Sequence, residues 1–275
     1  MVKYIYLLFH SYYKLRYLRM KEIIPNKVLS QLKNSKVTLG AWVLSGSEVV
    51  AELFAMSGFD WVCIDAEHSA VTTHTAQSMM MAIERHGAEP FVRVSQNDES
   101  ECKKFLDMGA RGILIPMIKS HEDVIKAIHY TRFPPIGKRS YSLSRSTYYG
   151  EASSSYFKKA NETILLGIMI EHQDALTELD RIFSEQEIDV VLIGPYDLSG
   201  SLGIPGEFNK PEFHEAMELI NRKAREYKIN VGLHEVHPTP EKIQEKINDG
   251  YTFIACGMDT IFLIEESKKY TILNN

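Results

Sequence analysis

Val190-Val191-Leu192-Ile193-Gly194-Pro195-Tyr196-Asp197 passes from four unbroken apolar residues into a glycine, a proline and a carboxylate. An apolar run without alternation reads as a strand buried on both faces, the pattern that parallel sheets produce. Seven other runs share it: Leu39–Val43, Trp61–Glu67, Pro90–Val94 and Gly112–Ile118 before the longest gap, then Leu165–Glu171, Val231–Val236 and Phe253–Asp259. With Val190–Asp197 they make eight expected strands.

Amphipathic stretches fill the gaps. Ser47–Ser57 places Val50, Leu53 and Phe54 on one face, and Ser100–Met108 carries Cys102, Phe105 and Leu106. Pro211–Tyr227 carries Phe213, Met217 and Ile220, and Thr239–Asp249 carries Ile243 and Ile247. Strand alternating with helix means α/β, and eight units are the number that closes a barrel. The expected architecture is a (β/α)8 TIM barrel over residues 21–275, with an additional C-terminal helix in TIFLIEESKKY after Asp259. A doubly wound open sheet would show a Gly-rich turn after strand one, and LGAWVLSGS matches that poorly. Residues 1–20, with four basic side chains and no acid, read as an N-terminal extension outside the domain.

Composition bounds the function. The chain has 275 residues, 44% hydrophobic and 24% charged, with 31 basic and 36 acidic side chains and a net charge of -5. No basic field marks a nucleic-acid partner. No apolar run is long enough to span a membrane. Cys63, Cys102 and Cys256 are too few and too scattered for a disulfide framework or a zinc cluster, which points to the cytoplasm.

Active sites of barrels lie at the C-terminal ends of their strands. There the sequence places Asp65, Glu67 and His68 (strand two), Arg93 (strand three), Glu171 and His172 (strand five), Gly194-Pro195-Tyr196-Asp197 (strand six) and His234 and Glu235 (strand seven); His172 and His234 are given no role. Charged heads are costly to bury unpaired, so such a ring is better explained by a site than by packing. Glu171 and Asp197 are the candidate ligands of a divalent cation, since hard oxygen donors suit Mg²⁺ or Mn²⁺. Helix capping is the alternative for each. The turn through Gly194, Pro195, Tyr196 and Ser199 would aim backbone N–H groups at a substrate carboxylate. His68 is the candidate base, and Arg93 the candidate donor to an oxyanion.

The ordered set Asp60-Trp61, Asp65-Ala66-Glu67-His68, Pro90-Phe91-Val92-Arg93-Val94, Leu106-Asp107-Met108-Gly109-Ala110, Ile115-Pro116-Met117, Pro134-Pro135-Ile136-Gly137-Lys138-Arg139, Ile170-Glu171 and Ile193–Ser199 resembles the HpcH/HpaI aldolase and citrate lyase β-subunit family. The resemblance spans roughly residues 27–266. It implies a metal-dependent class II aldolase that cleaves a 4-hydroxy-2-oxo acid to pyruvate and an aldehyde. It also implies a divalent metal (Mg, Mn or Co) and a homohexamer built as a trimer of dimers. Carried over, Glu171 and Asp197 hold the metal and Arg93 stabilises the enolate. His68 paired with Asp107 serves the acid/base step, and Asp65 orients the network. Met169, Tyr196, Ser140–Leu143 and His234 depart from the family pattern, chiefly on the acceptor side. Three alternatives stay open: a lyase or condensing enzyme acting on oxaloacetate or an acyl-CoA, Schiff-base chemistry at Lys119, and a non-catalytic binding barrel.

Overall fold

The computed structural model describes residues 23–271, so the extension expected over residues 1–20 lies outside the described residues. Eight parallel strands close into a barrel in chain order, β1 pairing with β8. They are β1 (Thr38–Val43), β2 (Trp61–Asp65), β3 (Glu89–Arg93), β4 (Gly112–Ile115), β5 (Leu165–Ile170), β6 (Val190–Ile193), β7 (Asn230–Glu235) and β8 (Phe253–Met258). The helices that matter below are α1 (Lys27–Lys33), α2 (Glu48–Met56), α3 (Thr73–Arg85), α4 (Glu99–Met108), α5 (His121–Thr131), α6 (Ser153–Thr163), α7 (Gln173–Leu176), α8 (Leu179–Phe183), α9 (Pro195–Ser201), α10 (Pro211–Tyr227), α11 (Pro240–Asn248) and α12 (Asp259–Thr271). The last is the additional C-terminal helix. No helix among the described residues is long and apolar enough to cross a membrane.

Two apolar layers hold the fold. One lies between strands and outer helices; the other fills the barrel with Trp42, Trp61, Phe91, Leu114, Met169, Leu192 and Phe253, joined by Val28, Leu29 and Leu32 of α1. Trp61 stacks on Phe253 at 4.1 Å and on Phe91 at 5.7 Å between ring centroids. Rings of that size fit only where facing residues are small. A Cβ on Gly40 would run into the Trp61 ring, and one on Gly112 would sit 2.6 Å from Phe91. The barrel interior is thus a packed core rather than a pore.

Helix starts follow local chemistry. Ser47, Asp98 and Thr239 each accept a backbone N–H as N-caps, and Ser120 with Asp123 forms a capping box. These residues prefer that position because they satisfy orphan donors of the first turn. Several strands end sooner than expected. β2 stops at Asp65, whose carboxylate takes the N–H groups of Glu67 and His68 and folds the chain into a turn. β6 stops at Ile193 because Gly194 caps α9 and Pro195 opens it. Of the expected face of α2, Val50 and Phe54 pack on the core beside the buried Ala51 and Ala55, while Leu53 is corrected: it is exposed, as are Val49 and Met56.

Gly40→Ala is expected to lower stability by about 1–3 kcal/mol through overpacking against Trp61. Urea unfolding measures it, and an unchanged midpoint would show that the indole has room to move.

Candidate active site

Asp65, the last residue of β2, is fully buried, and its carboxylate organises one half of the barrel mouth. Strand register sets Asp65 beside Arg93, the last residue of β3. Arg93 donates Nε–H to Asp65 Oδ1 at 3.2 Å and a second bond from Nη2 to Oδ2. Trp42 Nε1 donates to Oδ2 at 3.2 Å, and the N–H groups of Glu67 and His68 donate to Oδ1 at 2.9 and 3.1 Å. Burial alone would push the Asp65 carboxyl up. The Arg93 bonds and charge, helped by the two N–H donors, outweigh it and hold the group below its ordinary value. Burial likewise pulls Arg93 down, yet Asp65 and Glu67 hold it above its ordinary value.

Glu67 extends this cluster: its Oε2 lies 3.0 Å from Arg93 Nη1 and 3.7 Å from His68 Nε2. Burial raises the Glu67 carboxyl above its ordinary value against the pull of Arg93. The His68 side chain is 62% exposed at the rim.

The other half is built differently. Glu171 follows β5 and is buried, and its Oε1 accepts the Met117 N–H at 2.7 Å. Met117, just past β4, takes a left-handed φ of 53° and makes that bond. Burial lifts the Glu171 carboxyl to about 7, and Asp197 and Glu67 add to the rise; the Met117 N–H and Arg93 only partly offset it. Gly194 packs on Glu171, since a Cβ there would collide with the carboxylate. Asp197 lies in the first turn of α9. Trp42, Asp65, Arg93, Glu171, Asp197 and His234 share one cavity of about 210 Å³. Liquid water takes ~30 Å³ per molecule, so a small organic acid has room there.

This cavity brings together nearly all of the expected residues. Asp65, His68, Arg93, Glu171, Gly194, Pro195, Tyr196 and Asp197 all line it. Two do not. Asp107 sits on α4 and is bonded by Arg139 Nη2 at 2.9 Å, so the expected His68–Asp107 pair is not formed within the chain. The carboxylate beside His68 is Glu67 instead. Ser199 is fully buried beneath the turn: its hydroxyl donates to the Tyr196 carbonyl at 2.8 Å and accepts the Gly206 N–H at 3.0 Å. It shapes α9 rather than facing the cavity. Lys119 is exposed and does not line the cavity.

The strand-end search missed Trp42, whose indole N–H serves Asp65; His234, noted at strand seven and given no role, lines the cavity. A search for charged strand ends passes over an indole. Two carboxylates, Glu171 and Asp197, are the donor set toward a cation; among the described residues no cluster of three or more His, Cys, Asp or Glu is close enough to hold one. Two hard oxygen donors in a polar mouth fit Mg²⁺-type ions, which keep several waters.

Comparison with known proteins places the chain. The family model described as HpcH/HpaI aldolase/citrate lyase matches residues 38–265. The 2-keto-3-deoxy-L-rhamnonate aldolase of Escherichia coli is 32% identical over 244 residues, 88% of this chain and 90% of that protein. An HpcH/HpaI aldolase/citrate lyase family protein from Burkholderia cenocepacia J2315 superposes with a TM-score of 0.85 at 28% identity, covering 90% of this chain and 98% of the other. Citrate synthase SbnG gives a TM-score of 0.79 at 27% identity, covering 90% and 96%.

Glu171 also makes a stability test. Its folded value of about 7 lies above the ordinary 4.5. Its favourable contribution is full below the ordinary value and is lost as pH rises through 7. Glu171→Gln is therefore expected to stabilise the cation-stripped protein at pH 8 by about 2–3 kcal/mol, with little difference at pH 4. Denaturant melts at the two pH values in EDTA measure it; equal wild-type and variant stability at pH 8 would show that Glu171 ionises without cost.

Proposed function

Because the chain belongs to the HpcH/HpaI aldolase/citrate lyase family, we propose that it is a divalent-metal-dependent aldolase that cleaves or forms a 4-hydroxy-2-oxo acid, with pyruvate and an aldehyde as the other partners of the reaction. The aldolase of Escherichia coli, matched across nine-tenths of its length, supports carbon–carbon lyase chemistry. The observation that carries the reading is the asymmetry of the cavity. One buried carboxylate, Asp65, is neutralised by a guanidinium. The other, Glu171, sits beside Asp197 with only a backbone N–H donor. That second carboxylate pair suits a cation.

Glu171 and Asp197 would hold that ion, Mg²⁺ or Mn²⁺ by their oxygen donors. When bound, it supplies Lewis acidity to the 2-oxo acid. The chain's own residues do the rest. In the cleavage direction a base takes the proton of the C4 hydroxyl, and the C3–C4 bond breaks as C4 becomes the aldehyde carbonyl. The bond pair moves to C3 and on to the C2 oxygen, leaving an enolate that takes a proton at C3 to give pyruvate. His68, at the rim beside Glu67, is the base. Asp65 takes two of the five Arg93 N–H donors and fixes the guanidinium plane, and Glu67 lies 3.0 Å from Nη1; the N–H donors that neither carboxylate takes are available to the C2 oxygen as its charge develops. The turn at Gly194, Pro195 and Tyr196 bounds the pocket where the substrate carboxylate lies.

Assembly belongs to the same reading. Val49, Leu53 and Met56 of α2 and Leu263 and Ile264 of α12 are exposed, and the two helices meet through Phe54 and Phe262. An apolar patch of this kind suits burial in a homo-oligomer, a hexamer of three dimers. A cytoplasmic location accords with three free, buried cysteines.

Proton NMR in D₂O tests the reading. The enzyme with Mg²⁺ or Mn²⁺ is expected to exchange the pyruvate methyl protons, and EDTA to stop it; no exchange with any divalent metal would overturn the pyruvate assignment. Glu171→Ala is expected to lose metal binding, by calorimetry, together with exchange. Arg93→Lys is expected to lose about 10²-fold or more in turnover, since an ammonium cannot reproduce the fork. Near-normal turnover would remove Arg93 from the enolate step.

A further inference from the structure

Glu171 meets two neighbours whose form packing alone does not explain. The first is Met117. The β4–β5 ladder pairs Ile115 with Ile168, and the Ile118 N–H takes it up again at the Met169 carbonyl, 3.3 Å away. Between these two fixed points Met117 adopts a φ of 53°. That left-handed conformation is disfavoured for any residue with a Cβ, and such residues collect where function uses them. Side-chain packing does not offset it, because Met117 is 39% exposed. The conformation serves the amide instead: the Met117 N–H donates to Glu171 Oε1 at 2.7 Å.

The second is Gly194. Its φ of -97° and ψ of 94° are open to any residue, so backbone freedom is not why a glycine stands there. Space is the reason. A Cβ on Gly194 would collide with Glu171 Oε2 and lie 3.0 Å from the Glu171 Cβ. The Gly194 carbonyl accepts the Leu198 N–H at 3.0 Å and so opens α9, whose first turn carries Asp197. Among the described residues no donor bonds Oε2. The two oxygens of one buried carboxylate are thus told apart. An amide holds Oε1, and Oε2 lies without a donor against the turn that leads to Asp197.

Resting on the reading of Glu171 and Asp197 as ligands of a divalent cation, we propose that Met117 and Gly194 are positioning residues for that ion. The strained amide holds Oε1, the missing Cβ admits Oε2, and Oε2 is the oxygen left for the cation. Contacts that orient a metal ligand from behind commonly change affinity by about 10–100-fold when they are lost.

Binding of Mn²⁺ to the full chain tests this, by calorimetry and by the electron paramagnetic resonance spectrum of the bound ion. Gly194→Ala is expected to weaken Mn²⁺ binding by about tenfold or more. Gly200→Ala, on the same helix but where a Cβ meets nothing within 4 Å, is expected to keep wild-type affinity. At position 117 affinity should follow the backbone rather than the side chain. Met117→Gly and Met117→Asn suit a left-handed φ and are expected to keep the affinity and the spectrum. Met117→Val, whose branched side chain resists that conformation, is expected to lose about tenfold or more and to alter the spectrum. Because the side chain is exposed, this series decides the matter whatever the stability of Gly194→Ala. Wild-type affinity in Met117→Val, or Gly and Asn variants that lose as much as Val, would overturn the role of Met117. Wild-type affinity in Gly194→Ala would overturn that of Gly194. A wild-type chain that binds neither Mn²⁺ nor Mg²⁺ would overturn the cation site itself and the proposal with it, a result distinct from unchanged variants of a chain that binds.

Discussion

The mouth of this barrel depends on one buried carboxylate. An ionised Asp65 without partners would be very costly in an apolar interior. Its two oxygens instead accept from an indole on β1, a guanidinium on β3 and two backbone N–H groups of its own following turn. Each donor needs Asp65 as much as Asp65 needs it. A guanidinium at a strand end is equally costly without its counter-ion. The mutual dependence fixes the rotamer of Trp42, the plane of Arg93 and the turn that carries His68. Three strands and one loop are thereby locked at a single point, and rigid support of that kind keeps a catalytic group within reach of its target.

Glu171 shows what happens where such neutralisation stops. It is as buried as Asp65, but a single backbone N–H faces it, and Asp197 and Glu67 add negative potential. Desolvation therefore wins at Glu171 and loses at Asp65, though both are carboxylates at strand ends in one barrel mouth. Packing does not explain the difference, because Gly194 gives up its Cβ to make room for the Glu171 carboxylate. A buried negative region that the chain leaves uncompensated is a stability cost, of the kind found where a site serves function rather than folding.

The barrel was legible because parallel strands leave an uninterrupted apolar signature, and each of the eight runs overlaps an observed strand. Strand ends were less legible. Whether Glu67 or Asp197 continues a strand depends on side-chain-to-backbone bonds and on Pro195, not on hydrophobicity. On α2 only Leu53 was misread: Val50 and Phe54 pack on the core, but small residues, Ala51 and Ala55, make the close approach that size-weighted patterning gives to Leu53. Most of the site was legible because charge at a strand end has few innocent explanations. Ser199 and Asp107 stood in the same motifs as residues that face the cavity. Rotation about α9 and the position of α4 outside the barrel turn them toward other partners.

The position of Trp42 in the site and the setting of His234 were illegible for a deeper reason. Each depends on a contact from a distant part of the chain: Trp42 on Asp65, and His234 on the carbonyl of a bulge in β8. Their stacking also joins the two sides of the cavity, since Arg93 lies 5.3 Å from the centroid of the indole ring that His234 covers. Strands two, three, five and six carry the groups that any enolate-forming reaction needs. Apolar lining comes from strands one, five, six and eight as well, through Trp42, Met169, Leu192 and Met258.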